Sequence, residues 1–198
     1  MMGFQRSPTP ELLETHGHQW TTRWEERRQA NPSAGFDWPQ VDGRPVNQIL
    51  LSLLGEMTLE HCSYCDGFPI NATGQPTIDH FRPKHRFLGL AFAWENLFYA
   101  CDRCQGRNGK GEQWSDPLLK PDESDYSFFR YFRYVNATGR LEPNPEASTE
   151  DQRRATETIR IFRLNDDGRT ADRKRVLRLY RSFAPENCPY RFLFSPLE

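Results

Sequence analysis

The sequence has no apolar run long enough to cross a bilayer. Its most apolar stretch, Ile49-Leu50-Leu51-Ser52-Leu53-Leu54, falls well short of the ~20 residues that a spanning helix needs. The segment from Met1 to Trp20 has neither an apolar stretch nor a small-residue cleavage site, so we expect no secretory signal, no membrane contact and a cytoplasmic location. Without a secretory route, the triplets Asn71-Ala72-Thr73 and Asn136-Ala137-Thr138 are chance matches to a glycosylation signal. Net charge is almost absent, at -1. That argues against a protein that coats nucleic acid by bulk electrostatics, but not against an enzyme that touches a few phosphates or borrows affinity from a partner. Internal repeats and low-complexity tracts are also missing.

What is present suits a folded chain with much surface. Its 198 residues are enough for one good hydrophobic core with small extensions. We expect a single domain, 1–198, of α+β class. It divides into an N-terminal helical region (1–59), a central core (60–115), and a strand with a C-terminal helical extension (116–198). Thr9-Pro10-Glu11 reads as a helix start with Thr9 as the cap. Leu12, Leu13, Trp20 and Trp24 share its apolar face, and Asn31-Pro32 ends it. Residues 32–45 read as a loop, and Val46–Leu59 as a second helix. Alternation over 130–135 predicts a strand, with a turn at 136–139. A helix is expected from Thr149 to Leu164, capped by Ser148 or Thr149, then a break at Asp166-Asp167-Gly168 and a last helix from Thr170 to Phe183.

Four of the five cysteines form two CxxC pairs, Cys62/Cys65 and Cys101/Cys104. In a reducing compartment such pairs read as metal ligands rather than disulfides. Two CxxC turns complete a closed tetrahedral site with no open position, so the expected Zn2+ is structural. Asp66-Gly67 suits the tight turn after the first pair. Redox use is less well supported, because neither pair sits in a βαβ context. Cys188 reads as a partly buried free thiol.

The long insertion between the pairs holds the most chemically loaded segment, Thr77-Ile78-Asp79-His80-Phe81-Arg82-Pro83-Lys84, and then Trp94-Glu95-Asn96-Leu97. Phosphodiester hydrolysis needs a base to activate water and a cation to offset charge at the phosphate. An unperturbed histidine titrates near neutrality, so His80 is the natural base. Asp79 is a hard oxygen ligand suited to Mg2+ or Mn2+. Neighbours on a strand point to opposite sides, so serving one site requires a twist, a bulge or a backbone role for one of them. His61 and His85 read as structural or solvated. His16 and His18, two residues apart, do not share a helical face.

The order of a CxxC, an Asp-His with a Pro three residues on, an Asn-Leu and a second CxxC resembles the HNH endonuclease motif. The segments Asp79–Lys84 and Trp94–Leu97 resemble, in more detail, the HNH nucleases of retron-linked and Septu-type anti-phage systems, which accompany an ATPase. By eye the likeness runs through Asp116-Pro117 to Leu164-Asn165, about the central two-thirds of the chain. It implies a small ββα-metal core with a four-cysteine zinc knuckle, flanked by N- and C-terminal helices. It also implies that Asp79 binds the catalytic ion, His80 activates water and Asn96 braces the loop that orients His80. Where the family has His or Asn directly after the last cysteine, this chain has Gln105. Asn108, one helical turn on, is the other candidate for second ligand.

Arg82, Lys84, Arg103, Arg107 and Lys110 flank these motifs and could hold phosphates. The arginines of the C-terminal helices suggest nucleic-acid contact or docking to an acidic partner. The expected function is metal-dependent hydrolysis of DNA, with RNA not excluded, beside an ATPase partner in anti-phage defence. Gln105 leaves open an alternative: a non-catalytic zinc module that binds nucleic acid or acts as an adaptor.

Overall fold

The computed structural model describes residues 1–179 and 183–194. Helix α1 (Glu11–Ala30) is started by Pro10, not Thr9. Pro10 is extended (φ -60°, ψ 139°), and its carbonyl accepts the Leu13 and Glu14 N–H groups at 2.8 and 3.1 Å. No side chain caps this end. Leu13, Gly17, Trp20 and Trp24 form its buried face. The following loop contains a small hairpin of β1 (Gln40–Val41) and β2 (Arg44–Pro45). Asp42 and Gly43 turn it with φ values of 50° and 73°, the left-handed pair that a two-residue hairpin turn needs. Helix α2 (Val46–Thr58) buries Val46, Leu50 and Leu54 and stops where Leu59 enters the left-handed region.

A one-turn helix α3 (Ile70–Thr73) leads into the central hairpin of β3 (Pro76–His80) and β4 (Leu97–Cys101). The two pair antiparallel in unbroken register, with Asp79 opposite Phe98 and His80 opposite Leu97. Leu97, Phe98, Tyr99 and Ala100 are all buried, as expected of a strand covered on both faces. The single-turn α4 (Asp102–Gln105) follows β4 directly.

The aromatic run forms a short helix α5 (Phe128–Tyr131) before β5 (Phe132–Val135), which pairs with β6 (Arg140–Pro143). The expected strand and turn are therefore present, but the strand starts later than its alternation suggested. Helix α6 (Thr149–Ile161) is capped by Ser148, whose side chain accepts the Asp151 N–H at 3.1 Å. The last helix, α7 (Asp167–Leu179), begins before the expected Thr170. Asp167-Gly168 does not break the chain but forms the first turn of α7. The break lies at Arg163, where φ is 50°, and the Asp166 carbonyl then accepts the Arg169 and Thr170 N–H groups. The expected continuation through 180–182 lies outside the described residues.

The chain is thus α+β, with helices around small two-stranded sheets. One apolar cluster joins Leu13, Trp20 and Trp24 of α1, Leu50 and Leu54 of α2, Phe98 of β4, Phe162 after α6 and Val176 of α7. Burial of this kind contributes about 25 cal/mol per Å2 of apolar surface, and here it clamps the central hairpin from both ends of the sequence. No helix among the described residues is long and apolar enough to cross a membrane.

Candidate functional site

The two CxxC turns meet. Cys62 and Cys65 lie in the turn after α2, Cys101 ends β4, and Cys104 sits in α4. All four Sγ atoms lie within 4.8 Å of one another, and the Cys65 and Cys101 sulfurs are 3.8 Å apart. A tetrahedral zinc with Zn–S bonds of ~2.3 Å has S···S edges of about 3.8 Å, so the four thiolates can hold one such ion. Asp66, left-handed at φ 59°, closes the first turn. Its buried carboxylate accepts the Arg191 backbone N–H and guanidinium, each at 2.6 Å. Hydrogen bonds from the other three sulfurs, with help from the Arg169 charge, hold the Cys65 thiol well below its ordinary value. Burial pushes the Cys62 thiol up.

Arg169 was not singled out by the sequence. It is 3% exposed, and both of its terminal nitrogens donate to Cys104 Sγ at 3.2 Å. Four thiolates around a divalent ion carry a net charge of -2, so a buried guanidinium offsets part of that excess. It also ties α7 to the cluster. Cys188 is a buried free cysteine outside the cluster, as expected.

Asp79 lies one residue from the end of β3 and is 2% exposed. Its Oδ2 accepts the Tyr64 hydroxyl at 2.7 Å, and its Oδ1 accepts the Lys110 ammonium at 3.2 Å. The same ammonium donates to the His80 carbonyl at 2.7 Å. Lys110 is 1% exposed, which overturns its placing among the surface groups that hold phosphate: its charge is turned inward. The fold allows this because the chain after α4 doubles back, with the Lys110 N–H on the Cys104 carbonyl at 2.8 Å. Gly109 makes that path passable, since a Cβ there would lie 2.3 Å from the Arg103 carbonyl oxygen.

The regular register sends the Asp79 and His80 side chains into different surroundings. No bulge turns them to one side. What they share is Lys110, through the carboxylate of one and the carbonyl of the other. The His80 ring lies under an aromatic cover from the loop before β1: it stacks on Trp38 (5.7 Å, 24°) and meets Phe36 edge-on (5.3 Å, 79°). Its Nε2 is 2.9 Å from the Ala91 carbonyl. A carbonyl only accepts, so Nε2 carries the proton and donates. Burial, with the Lys84 charge next in weight, pulls the His80 pKa down to about 3. The ring is therefore neutral at neutral pH, with its lone pair on Nδ1.

Asn96 is 3% exposed and holds the loop after His80 by three hydrogen bonds. Its Oδ1 accepts the Arg82 N–H at 2.7 Å, and its Nδ2 donates to the Arg82 and Leu90 carbonyls, each at 3.0 Å. Leu90 immediately precedes Ala91, the acceptor for His80. The side chain is thus placed to set the orientation of the imidazole through the backbone.

The remaining candidates lie further out. Gln105 is half-buried and Asn108 exposed; the Asn108 backbone carbonyl accepts from Arg163 at 2.8 Å. Arg82 is exposed, its guanidinium 5.1 Å from the Trp114 ring centroid and 5.6 Å from that of Phe87. Lys84 is partly buried over Phe36, and burial lowers its pKa. Arg103 and Arg107 are exposed. Among the described residues, the C-terminal arginines do not form the open cationic face that their density suggested; Arg181 lies outside the described residues. Arg153, Arg154, Arg160, Arg163 and Arg175 pair with Glu150, Glu123, Glu157, Asp166 and Asp172, and Arg169 and Arg173 are buried. Their charges are largely met by the chain's own acids.

Tyr64, Phe36, Trp38 and Arg169 all belong to this region, and none was marked by the motif. Tyr64 is an interior residue of the first CxxC turn, and only the fold shows that its hydroxyl reaches Asp79.

No protein-family profile matches the chain. It is similar to Septu protein PtuB of Bacillus thuringiensis, at 30% identity over 95 residues, 48% of this chain and 36% of that protein. It is also similar to Septu protein PtuB of Bacillus mycoides (strain KBAB4), at 27% identity over 160 residues, 66% of this chain and 51% of that protein. The matched regions thus span between about a third and a half of these curated relatives. The Septu-type resemblance read from the motifs is borne out.

Proposed function

We propose that this chain is a metal-dependent HNH endonuclease that hydrolyses DNA phosphodiester bonds, serving as the nuclease subunit of an anti-phage defence system with an ATPase partner. The observation that carries this reading is the state of His80. Its ring is neutral, fixed by an Nε2–H bond to Ala91, and placed one residue after a buried carboxylate on a hairpin tied at one end to the cysteine cluster. The order β3, β4, α4 supports a ββα-metal core, and the defence setting comes from the likeness to Septu protein PtuB.

Asp79 suits a hard divalent cation. Its Oδ2 spends one lone-pair direction on Tyr64 and keeps another, and its Oδ1 now meets the Lys110 ammonium, a charge that a divalent ion would have to displace. A Mg2+ or Mn2+ ion held by Asp79, with Gln105 or Asn108 as second protein ligand, would supply positive charge at the scissile phosphate and leaving oxygen. The chain's own residues do the rest. His80 Nδ1 takes a proton from water, and the resulting hydroxide attacks phosphorus as the P–O bond to the leaving oxygen breaks. Trp38 and Phe36 keep bulk solvent from the ring, and Asn96 holds the loop that presents Ala91. Arg82, Lys84, Arg103 and Arg107 would meet backbone phosphates. General-base catalysis is worth about 100- to 10,000-fold in rate when the pKa of the base matches the working pH, and the lowered pKa of His80 puts it at the low end of that range.

A second reading is favoured by one specific contact. Both Asp79 oxygens are already bonded within the protein, which suits a non-catalytic zinc module that binds nucleic acid or acts as an adaptor. Incubating the zinc-loaded chain with supercoiled plasmid and with RNA, alone and with the ATPase, in Mg2+, Mn2+ or EDTA separates the two. Cutting in Mg2+ or Mn2+ that is lost in EDTA and in His80→Ala supports the nuclease. A chain that cuts neither substrate under any condition is the zinc module.

A further inference from the structure

Lys110 is a buried cation that the proposed chemistry does not use. Its ammonium touches Asp79, the carboxylate read as the ion ligand, at 3.2 Å, and is anchored to the His80 carbonyl at 2.7 Å. With side chains 1% and 3% exposed, this pair is screened little by solvent, so a second cation on Asp79 would feel the ammonium strongly. The placement is built into the backbone: the tight return past Gly109 and the Lys110 N–H bond to the Cys104 carbonyl deliver the side chain inward from the cysteine cluster.

We propose that Lys110 is the resident cation of the site, holding the Asp79 carboxylate in place, and that its ammonium must withdraw from Asp79 before a divalent ion can bind there. This inference rests on the reading of Asp79 as an ion ligand. Lys110 is then a positioning residue that also sets a threshold: the site stays closed to Mg2+ or Mn2+ until the ion outcompetes a charge already in place. A nuclease that could harm its own cell gains restraint from such a threshold, without any change in fold. Deleting the charge leaves the carboxylate short of a cation, so affinity for the ion rises. A purely structural lysine would do the reverse, because its loss would disorder Asp79 and weaken binding.

The test is Mn2+ binding to the zinc-loaded full-length chain, followed by the electron paramagnetic resonance signal of free Mn2+, for wild type, Lys110→Met and Asp79→Asn. A second readout on wild type alone is acetylation of Lys110 by an amine-reactive ester, read by mass spectrometry with and without saturating Mn2+. The proposal expects at least tenfold tighter Mn2+ binding in Lys110→Met, loss of that binding in Asp79→Asn, and Lys110 acetylated only when Mn2+ is present. Wild type and Lys110→Met binding Mn2+ equally at Asp79, or the variant binding it more weakly, overturns the role of Lys110 and leaves the nuclease reading standing. So does Lys110 staying protected with Mn2+ bound, a result that stands even if the variant does not fold. Failure of both wild type and Lys110→Met to bind Mn2+ through Asp79 overturns the ion-ligand reading and this inference with it.

Discussion

The Tyr64 hydroxyl donates to Asp79 Oδ2 at 2.7 Å, which makes the first cysteine turn and the Asp79 carboxylate one mechanical unit. The Tyr64 ring is fully buried and stacks on Phe162 at 3.9 Å. Tyr64→Phe keeps that stack and removes only the hydroxyl. Hydrogen bonds to charged groups are worth about 1.5–3 kcal/mol, so we expect a stability loss of that order in urea unfolding. Zinc content should stay at wild-type level, and any cleavage rate should fall about tenfold.

The depressed pKa of His80 makes stability depend on pH in a definite direction. Its folded value, about 3, lies below the ~6.5 of an unfolded histidine. Between those values the unfolded chain binds the proton and the folded chain does not. Stability should therefore fall as pH drops below about 6.5, with a contribution of up to about 1.4 kcal/mol per pH unit from this residue. Urea unfolding between pH 7.5 and 5.5 should show a steeper slope for wild type than for His80→Gln. Equal slopes would mean that the imidazole is not buried neutral.

Trp38 gives that pKa a functional signature. While its ring covers His80, the proposed base stays unprotonated across the mildly acidic range, and a pH–rate profile should show no fall near pH 6.5 from this group. Trp38→Ala opens the ring to water and raises its pKa toward the ordinary value. The rate of the variant should then decline with acid between about pH 7 and 5, where wild type does not.

Asn96→Ala removes three hydrogen bonds and leaves the Arg82 N–H and the Arg82 and Leu90 carbonyls without their partner. We expect a loss of about 2–4 kcal/mol, with zinc still bound. We also expect a drop in rate of more than tenfold, because the Ala91 carbonyl is no longer held against His80. A variant as active as wild type would show that the loop keeps its shape without the brace.

Arg169→Met tests the cation beside the cysteine cluster. It keeps much of the volume while removing both donors to Cys104. The four thiolates then hold their excess negative charge alone, so zinc should pass to a chelator faster than from wild type. Unchanged transfer kinetics would assign the guanidinium to packing alone.

Much of the fold follows local rules that a sequence displays. Ser148 caps α6, Asn31 ends α1, and the apolar face of α2 is buried as its spacing requires. The cysteine cluster was equally legible, because two CxxC turns that meet suit one tetrahedral ion. What the sequence hid depends on contacts between distant residues. Lys110 looks like a surface cation until the return past Gly109 turns it inward. The arginines of α6 and α7 look like a nucleic-acid face until their acidic partners come alongside. Trp38 sits in what reads as a plain loop, and only tertiary packing lays it over His80. Pro10 displaced Thr9 as the cap because its extended carbonyl already receives the first N–H groups of α1.

The central claim is that the lone pair on His80 activates water beside Asp79. Chemical rescue tests it most directly. Zinc-loaded wild type, with the proposed ATPase partner present, should cleave duplex DNA in Mn2+, and His80→Ala should be slower by about 100-fold or more. Added imidazole should then restore part of the lost rate to His80→Ala and do nothing for His80→Ala combined with Asp79→Asn. A His80→Ala protein that cleaves as fast as wild type, without imidazole, would contradict the account.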